Sequence, residues 1–145
     1  PFDCLLSRDG IITGKRTHPT RLSLFYVYRH GLKHQSTFIS SKLFQRLGLY
    51  NENYRIASDY EFWIRCLLDP STTAKGFPMA IADFELGGIS QHSDWVSEHR
   101  KIESELLPNL MPDLKTLETL LPYRDSRLLR KVMAIQAFVK RFTRS

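Results

Sequence analysis

Apolar residues alternate with polar ones at the start of the chain and then move to a helical spacing, and the two periods divide it into elements. Cys4, Leu5 and Leu6 stand on one side of Arg8-Asp9-Gly10, with Ile11 and Ile12 on the other. An Asp-Gly turn between apolar runs predicts a β-hairpin over residues 2–15. After Pro19, the string RLSLFYVYRHG fits two periods. Its alternation suits a strand, while Leu22, Phe25 and Tyr26 also share a helical face, so both readings stay open. HQSTFIS (34–40) is short and rich in β-formers, which predicts a strand. Ser40 and Ser41 then offer a cap to KLFQRLG, where Leu43, Phe44 and Leu47 share a face and Gly48 closes the helix.

The second half is mostly helical in pattern. Ser58 reads as an N-cap, with Glu61 three residues on in the capping-box position. The following helix carries Phe62, Trp63, Cys66 and Leu67 and should stop before Asp69-Pro70. Residues 78–86 read as a strand closed by Gly87-Gly88. Residues 94–107 form an amphipathic helical pattern, Pro108 and Pro112 interrupt it, and short and longer helices follow at 114–121 and 126–142.

Composition narrows the function classes. With 145 residues and 42% hydrophobic side chains, the chain is long enough for one domain with a core. Its net charge of +6 suggests nucleic acid until the charge is located. Residues 1–123 balance fourteen basic against fourteen acidic side chains, and 124–145 carry seven basic residues against Asp125 alone. A neutral body with a basic tail argues against a nucleic-acid-binding fold, which spreads its charge over a folded face. Cys4 and Cys66 lie far apart without a CxxC spacing, so they read as buried free thiols rather than a disulfide or a zinc site. No run of about 18 apolar residues encodes a membrane-spanning helix.

No P-loop, GxGxxG, HExxH or GxSxG is present, and the histidines (18, 30, 34, 92, 99) show no ligand spacing. Asp59 and Glu61 sit in the first turn of a predicted helix. There the helix dipole favours carboxylates, which explains the pair structurally. The functional alternative is a carboxylate held as a general base. Gly87-Gly88 is a plain turn or a loop that approaches a diphosphate closely.

A resemblance tips these choices. HQSTFISSKLFQRLGLYNENYRIASDYEFWIRCLL, followed by FELGGIS and preceded by the DGIITGKR hairpin, is similar to the acceptor-side half of family 2 glycosyltransferases with the GT-A fold. The match runs from residue 3 to about 92. It implies an α/β fold, the C-terminal portion of a GT-A (Rossmann-like) mixed-sheet domain over 1–93, followed by a helical extension over 94–145. The Asp of SDYEF corresponds to the catalytic base, a role that falls to Asp59. His34, Gln35, Glu61 and Trp63 would serve the acceptor, with Glu61 either holding it or bracing the helix. Gly87, Gly88, Ser90 and His92 would reach the donor diphosphate or the metal.

The family holds its nucleotide-sugar and a divalent ion, Mn²⁺ or Mg²⁺, through an N-terminal Asp-x-Asp motif that this sequence lacks. The resemblance therefore implies a fragment that binds neither donor nor metal by itself. Its parent would be a cytoplasmic enzyme, inverting, that acts on a glycan or lipid-linked acceptor. A non-catalytic interaction module, with Asp59 only capping a helix, is the rival reading. On the tail, Leu128, Val132, Ile135, Val139 and Phe142 draw one apolar stripe bordered by basic residues. That stripe either packs on the domain or lies against the inner face of an anionic membrane.

Overall fold

Residues 1–86 and 94–123 are described by the computed structural model, and they form a mixed α/β architecture. The hairpin is present: β1 (Phe2–Arg8) and β2 (Ile11–Arg16) run antiparallel. Asp9 and Gly10 close it at φ 52° and 74°. Two successive positive-φ residues make the tight turn whose twist suits a hairpin, and Asp-Gly accepts it with little strain. β3 (Phe77–Glu85) lies parallel to β1 on its other side, giving the order β2-β1-β3. As the central strand, β1 buries Asp3, Cys4 and Ser7. Both polar side chains are satisfied there. Asp3 meets the Lys15 ammonium at 2.9 Å and accepts from the His18 N–H, while the Ser7 hydroxyl lies 2.6 Å from Asp83.

The segment that fits two periods is a helix, α1 (Leu24–His30), capped by Ser23, whose hydroxyl accepts from the Tyr26 N–H. Val27 on its inner face is fully buried, and α1 packs on α3. Burial of that face decides against the strand.

The strand expected at 34–40 does not form. His34–Ser36 is a 3-10 turn in which the Ser36 and Thr37 hydroxyls both donate to the Lys33 carbonyl. Hydroxyl side chains that bond the local backbone compete with a strand ladder, and here they win. Next comes α2 (Ser41–Leu47), which begins after Ser40 and stops at Gly48, φ 82°.

The centre of the core is α3 (Ser58–Leu68), which buries Tyr60, Phe62, Trp63, Ile64 and Cys66. Phe62 stacks on Phe44 of α2 with centroids 4.7 Å apart. The helix ends at Leu68, before Asp69-Pro70, because the residue before a proline is driven out of helical backbone. Its start differs from the capping box expected at Ser58 and Glu61. Ser58 is the first helical residue, Ala57 occupies the cap position, and Glu61 reaches forward to Arg65 instead. Gly76 fixes the approach to β3: its N–H bonds the Thr20 carbonyl, and a Cβ there would lie 2.2 Å from the Pro19 carbonyl oxygen.

Helix α4 (Trp95–Leu106), capped by Asp94, packs on α3 and buries Ile102. It forms part of the compact unit Pro1–Leu107. The second unit, Pro108–Ser145, contains α5 (Met111–Leu120) and a 3-10 turn, Leu121–Tyr123. α5 starts earlier than the expected 114–121. Pro112 sits in its first turn, where a missing N–H is tolerated, so this proline opens the helix. The expected helix at 126–142 and the Gly87-Gly88 turn lie outside the described residues.

Candidate active site

The end of α1, the 3-10 turn, the start of α3, Phe84 of β3 and the first turn of α4 surround a cleft of about 400 Å³. The 3-10 segment and the end of α1 contribute His30, Lys33, His34 and Gln35, and α3 contributes Asp59, Tyr60 and Trp63. Phe84, Trp95 and His99 complete it, so aromatic rings surround a few polar groups. That composition suits a ligand with both apolar faces and hydroxyls.

Asp59 owes its position to the first turn of α3. Its Oδ1 accepts from the Tyr60 N–H at 2.7 Å, and its Oδ2 lies 3.7 Å from His34 Nδ1. The side chain is one-third exposed, at 33%. Burial pushes its pKa above the usual carboxylate value, against the backbone N–H bond and the nearby His34 and Lys33. A carboxylate that is partly desolvated yet still reachable is a stronger proton acceptor than one in water.

Lys33 lines the cleft, with Nζ 3.8 Å from the Phe84 ring centroid. Burial draws its pKa down. His99 stacks on Tyr60 with centroids 3.8 Å apart and planes within 7°, and Trp95 meets His99 edge-on. Burial lowers the His99 pKa to about 4, so its imidazole is neutral near pH 7.

The loop that delivers Asp59 is held from outside α3. Glu98 of α4 accepts from the N–H groups of Arg55, Ile56 and Ala57 at 3.0, 3.0 and 2.8 Å. Burial alone would raise the Glu98 pKa, but these three bonds bring it below the usual value. Tyr54 and Tyr60 add two more ties to α4, donating to Glu105 at 2.6 Å and Glu103 at 3.2 Å.

Of the residues singled out from sequence, His34, Gln35, Asp59 and Trp63 come together at this cleft. Glu61 does not. It is buried on another side of α3, where both oxygens meet Arg65 at 2.7 and 2.8 Å, and Arg65 in turn donates to the Leu47 and Leu49 carbonyls. Of the two roles open to Glu61, the geometry matches bracing the helix. Gly87, Gly88, Ser90 and His92 lie outside the described residues. Among the described residues no three His, Cys, Asp or Glu side chains converge to hold a metal ion.

Trp95, His99 and Glu98 went unrecognised in the sequence. Their signal is a Trp and a His one turn apart on the predicted 94–107 helix, a spacing that puts both rings on one face.

Comparison with known proteins gives one set of relatives. The chain is 32% identical over 65 residues to a protein of Mycobacterium bovis described as a PGL/p-HBAD biosynthesis glycosyltransferase. The Mycobacterium tuberculosis protein of the same description matches equally. The aligned stretch covers 44% of this chain and 25% of each relative, so the chain spans about a quarter of their length. The likeness supports a relationship to glycosyltransferases. No family model matches the chain, and no solved structure does.

Proposed function

We propose that this chain is the acceptor-side part of a family 2 glycosyltransferase of the GT-A fold, with Asp59 as its general base. The observation that carries the reading is the Asp59 carboxylate itself, at the wall of an aromatic cleft with its proton affinity raised by burial. The mycobacterial relatives add a named chemistry.

In the proposed step an acceptor hydroxyl lies against Asp59 Oδ2. The carboxylate takes the hydroxyl proton while the oxygen bonds to the anomeric carbon of a nucleotide-sugar. The bond from that carbon to the diphosphate breaks, and the nucleoside diphosphate leaves with the electron pair. One base and one displacement give inversion at the anomeric carbon. Trp63 and Trp95 offer apolar faces to a sugar ring, and His34 and Gln35 offer hydrogen bonds at the rim.

The test is Asp59→Asn in the whole enzyme. Transfer should fall by roughly 10²–10⁴-fold, the usual worth of a positioned base. Folding and donor binding should not change, since Asn keeps the shape and still accepts from the Tyr60 N–H. The wild-type rate should also fall on acidification at a pH above the value of an ordinary aspartate, because burial raises the Asp59 pKa. Near-normal turnover by the variant would reject Asp59 as the base.

A further inference from the structure

Lys33 is half-buried where it lines the cleft, and its Nζ rests on the Phe84 ring, another part of the same lining. Among the described residues no carboxylate lies within ion-pair distance of that ammonium, and no acceptor is hydrogen-bonded to it. It is not sealed off either. Among the described residues the fully buried polar atoms without a partner are His18 Nε2 and the Trp63 indole nitrogen, so Lys33 Nζ stays open to solvent. The charge around it is mostly of its own sign. Burial and then Arg16 lower the pKa of both Lys33 and His30, and the Arg16 guanidinium donates to the His30 carbonyl. In return the cleft lining holds one carboxylate, that of Asp59, which meets His34 at 3.7 Å and Lys33 only at longer range. A cation partly out of water and beside another cation is costly, and an anionic partner offsets that cost.

We propose that this part of the cleft binds an anionic oxygen group of the acceptor, a carboxylate or a phosphate, with Lys33 as its counter-ion. This rests on the reading of Asp59 as the base that receives the acceptor's proton. The same reading assigns the anion to the acceptor rather than to the donor. In an in-line displacement the attacking hydroxyl and the leaving diphosphate lie on opposite sides of the anomeric carbon. Lys33 is on the side of the base, near enough for the two charges to interact. The arrangement has a chemical use as well. Lys33 opposes the raised proton affinity of Asp59, so an anion that neutralises Lys33 makes Asp59 a stronger base once the acceptor is in place.

The test compares ligands that differ in one group: methyl glucoside, its phosphate ester at the primary hydroxyl, and methyl glucuronide. The chain is titrated with each, following the two tryptophan indole signals by ¹H–¹⁵N NMR, since Trp63 and Trp95 both line the cleft. At low salt the better of the two anions should bind about tenfold more tightly than the neutral sugar, the scale of one hydrogen bond to a charged group. That advantage should shrink as salt is added. Which anion binds better tells carboxylate from phosphate. Lys33→Met keeps the apolar stem without the charge and should bring both anions to the level of the neutral sugar. Lys33→Arg should keep the preference. Uridine diphosphate separates the donor from the acceptor, and its effect on the same signals should be equal in the parent chain and in Lys33→Met. Three sugars that act alike on the parent chain, a preference that survives Lys33→Met, or a uridine diphosphate response that Lys33→Met weakens would overturn the proposal. The Asp59→Asn assay reads the transfer chemistry separately. An inactive Asp59 variant with no anion preference sinks this site alone, and an active one with a Lys33-dependent preference sinks the transfer reading alone.

Discussion

Two titratable side chains in the cleft are shifted in directions that keep one basic and the other neutral. Burial makes Asp59 hold its proton more tightly, and it makes His99 give its proton up more readily. The stability consequence for His99 has a definite sign. Its folded value, about 4, lies below the unfolded value of about 6.5. Above pH 6.5 both states are neutral and stability does not depend on this group. Between 6.5 and 4 the unfolded chain takes up a proton that the folded chain refuses, so stability falls as the pH drops. Urea midpoints at pH 7 and pH 5 should therefore differ more for the parent chain than for His99→Phe, which keeps a ring against Tyr60 but cannot titrate. Equal differences in the two proteins would show that His99 is not desolvated. Asp69, outside the cleft, is held the opposite way, at about 2, by hydrogen bonds from Ser71, Arg46 and Thr72.

Helix α3 presents Asp59, and α4 supports the start of α3. Three N–H groups of the loop before α3 converge on one Glu98 carboxylate. Glu98→Gln retains a single acceptor oxygen and no charge, so it should cost about 2 kcal/mol, the scale of one or two hydrogen bonds to a charged group. Denaturant unfolding measures this. In the whole enzyme the same change should lower kcat through displacement of Asp59, and Glu98→Asp should restore part of it. A Gln variant as stable as the parent would mean that the loop is held by other means. This support also shows what was legible in the sequence. The Asp9-Gly10 hairpin, the Gly48 stop and the Asp69-Pro70 boundary are local, and each was readable because the decisive residues are adjacent. The misread elements were decided elsewhere. Residues 34–36 turn because nearby hydroxyls bond the Lys33 carbonyl, and Glu61 leaves the capping box for Arg65. His34, Gln35, Asp59 and Trp63 could be grouped through a resemblance carried by their own segments. Trp95 and His99 could not, because it is the packing of α4 on α3 that brings them to the same cleft.

For the Pro1–Leu107 unit, the exposed sheet has a cost in solution. Among the described residues the order β2-β1-β3 leaves β3 as an edge strand, and its Phe77, Met79 and Ile81 are 41%, 55% and 38% exposed. A hydrophobic edge with unpaired backbone groups is a template for pairing with another chain. The chain should self-associate with rising concentration in sedimentation velocity. Met79→Lys should reduce that association while leaving the unfolding midpoint within about 0.5 kcal/mol of the parent. Undiminished association of the Lys variant would point to a different contact surface. Among the described residues no helix is long and apolar enough to cross a membrane.

The Glu98 carboxylate also has a consequence in time. The amides it receives lie 41 to 43 positions earlier in the chain, so the loop that aims Asp59 stays incomplete until a distant segment has docked. Closing such a loop carries an entropic cost that local helix formation does not. During refolding, the Ile56 and Ala57 amides should gain protection from hydrogen exchange in step with α4 and after the Ile64 amide inside α3. Simultaneous protection of all three would show that the helix start organises without its distant acceptor. Delayed protection would make the placement of Asp59 one of the last things this chain acquires.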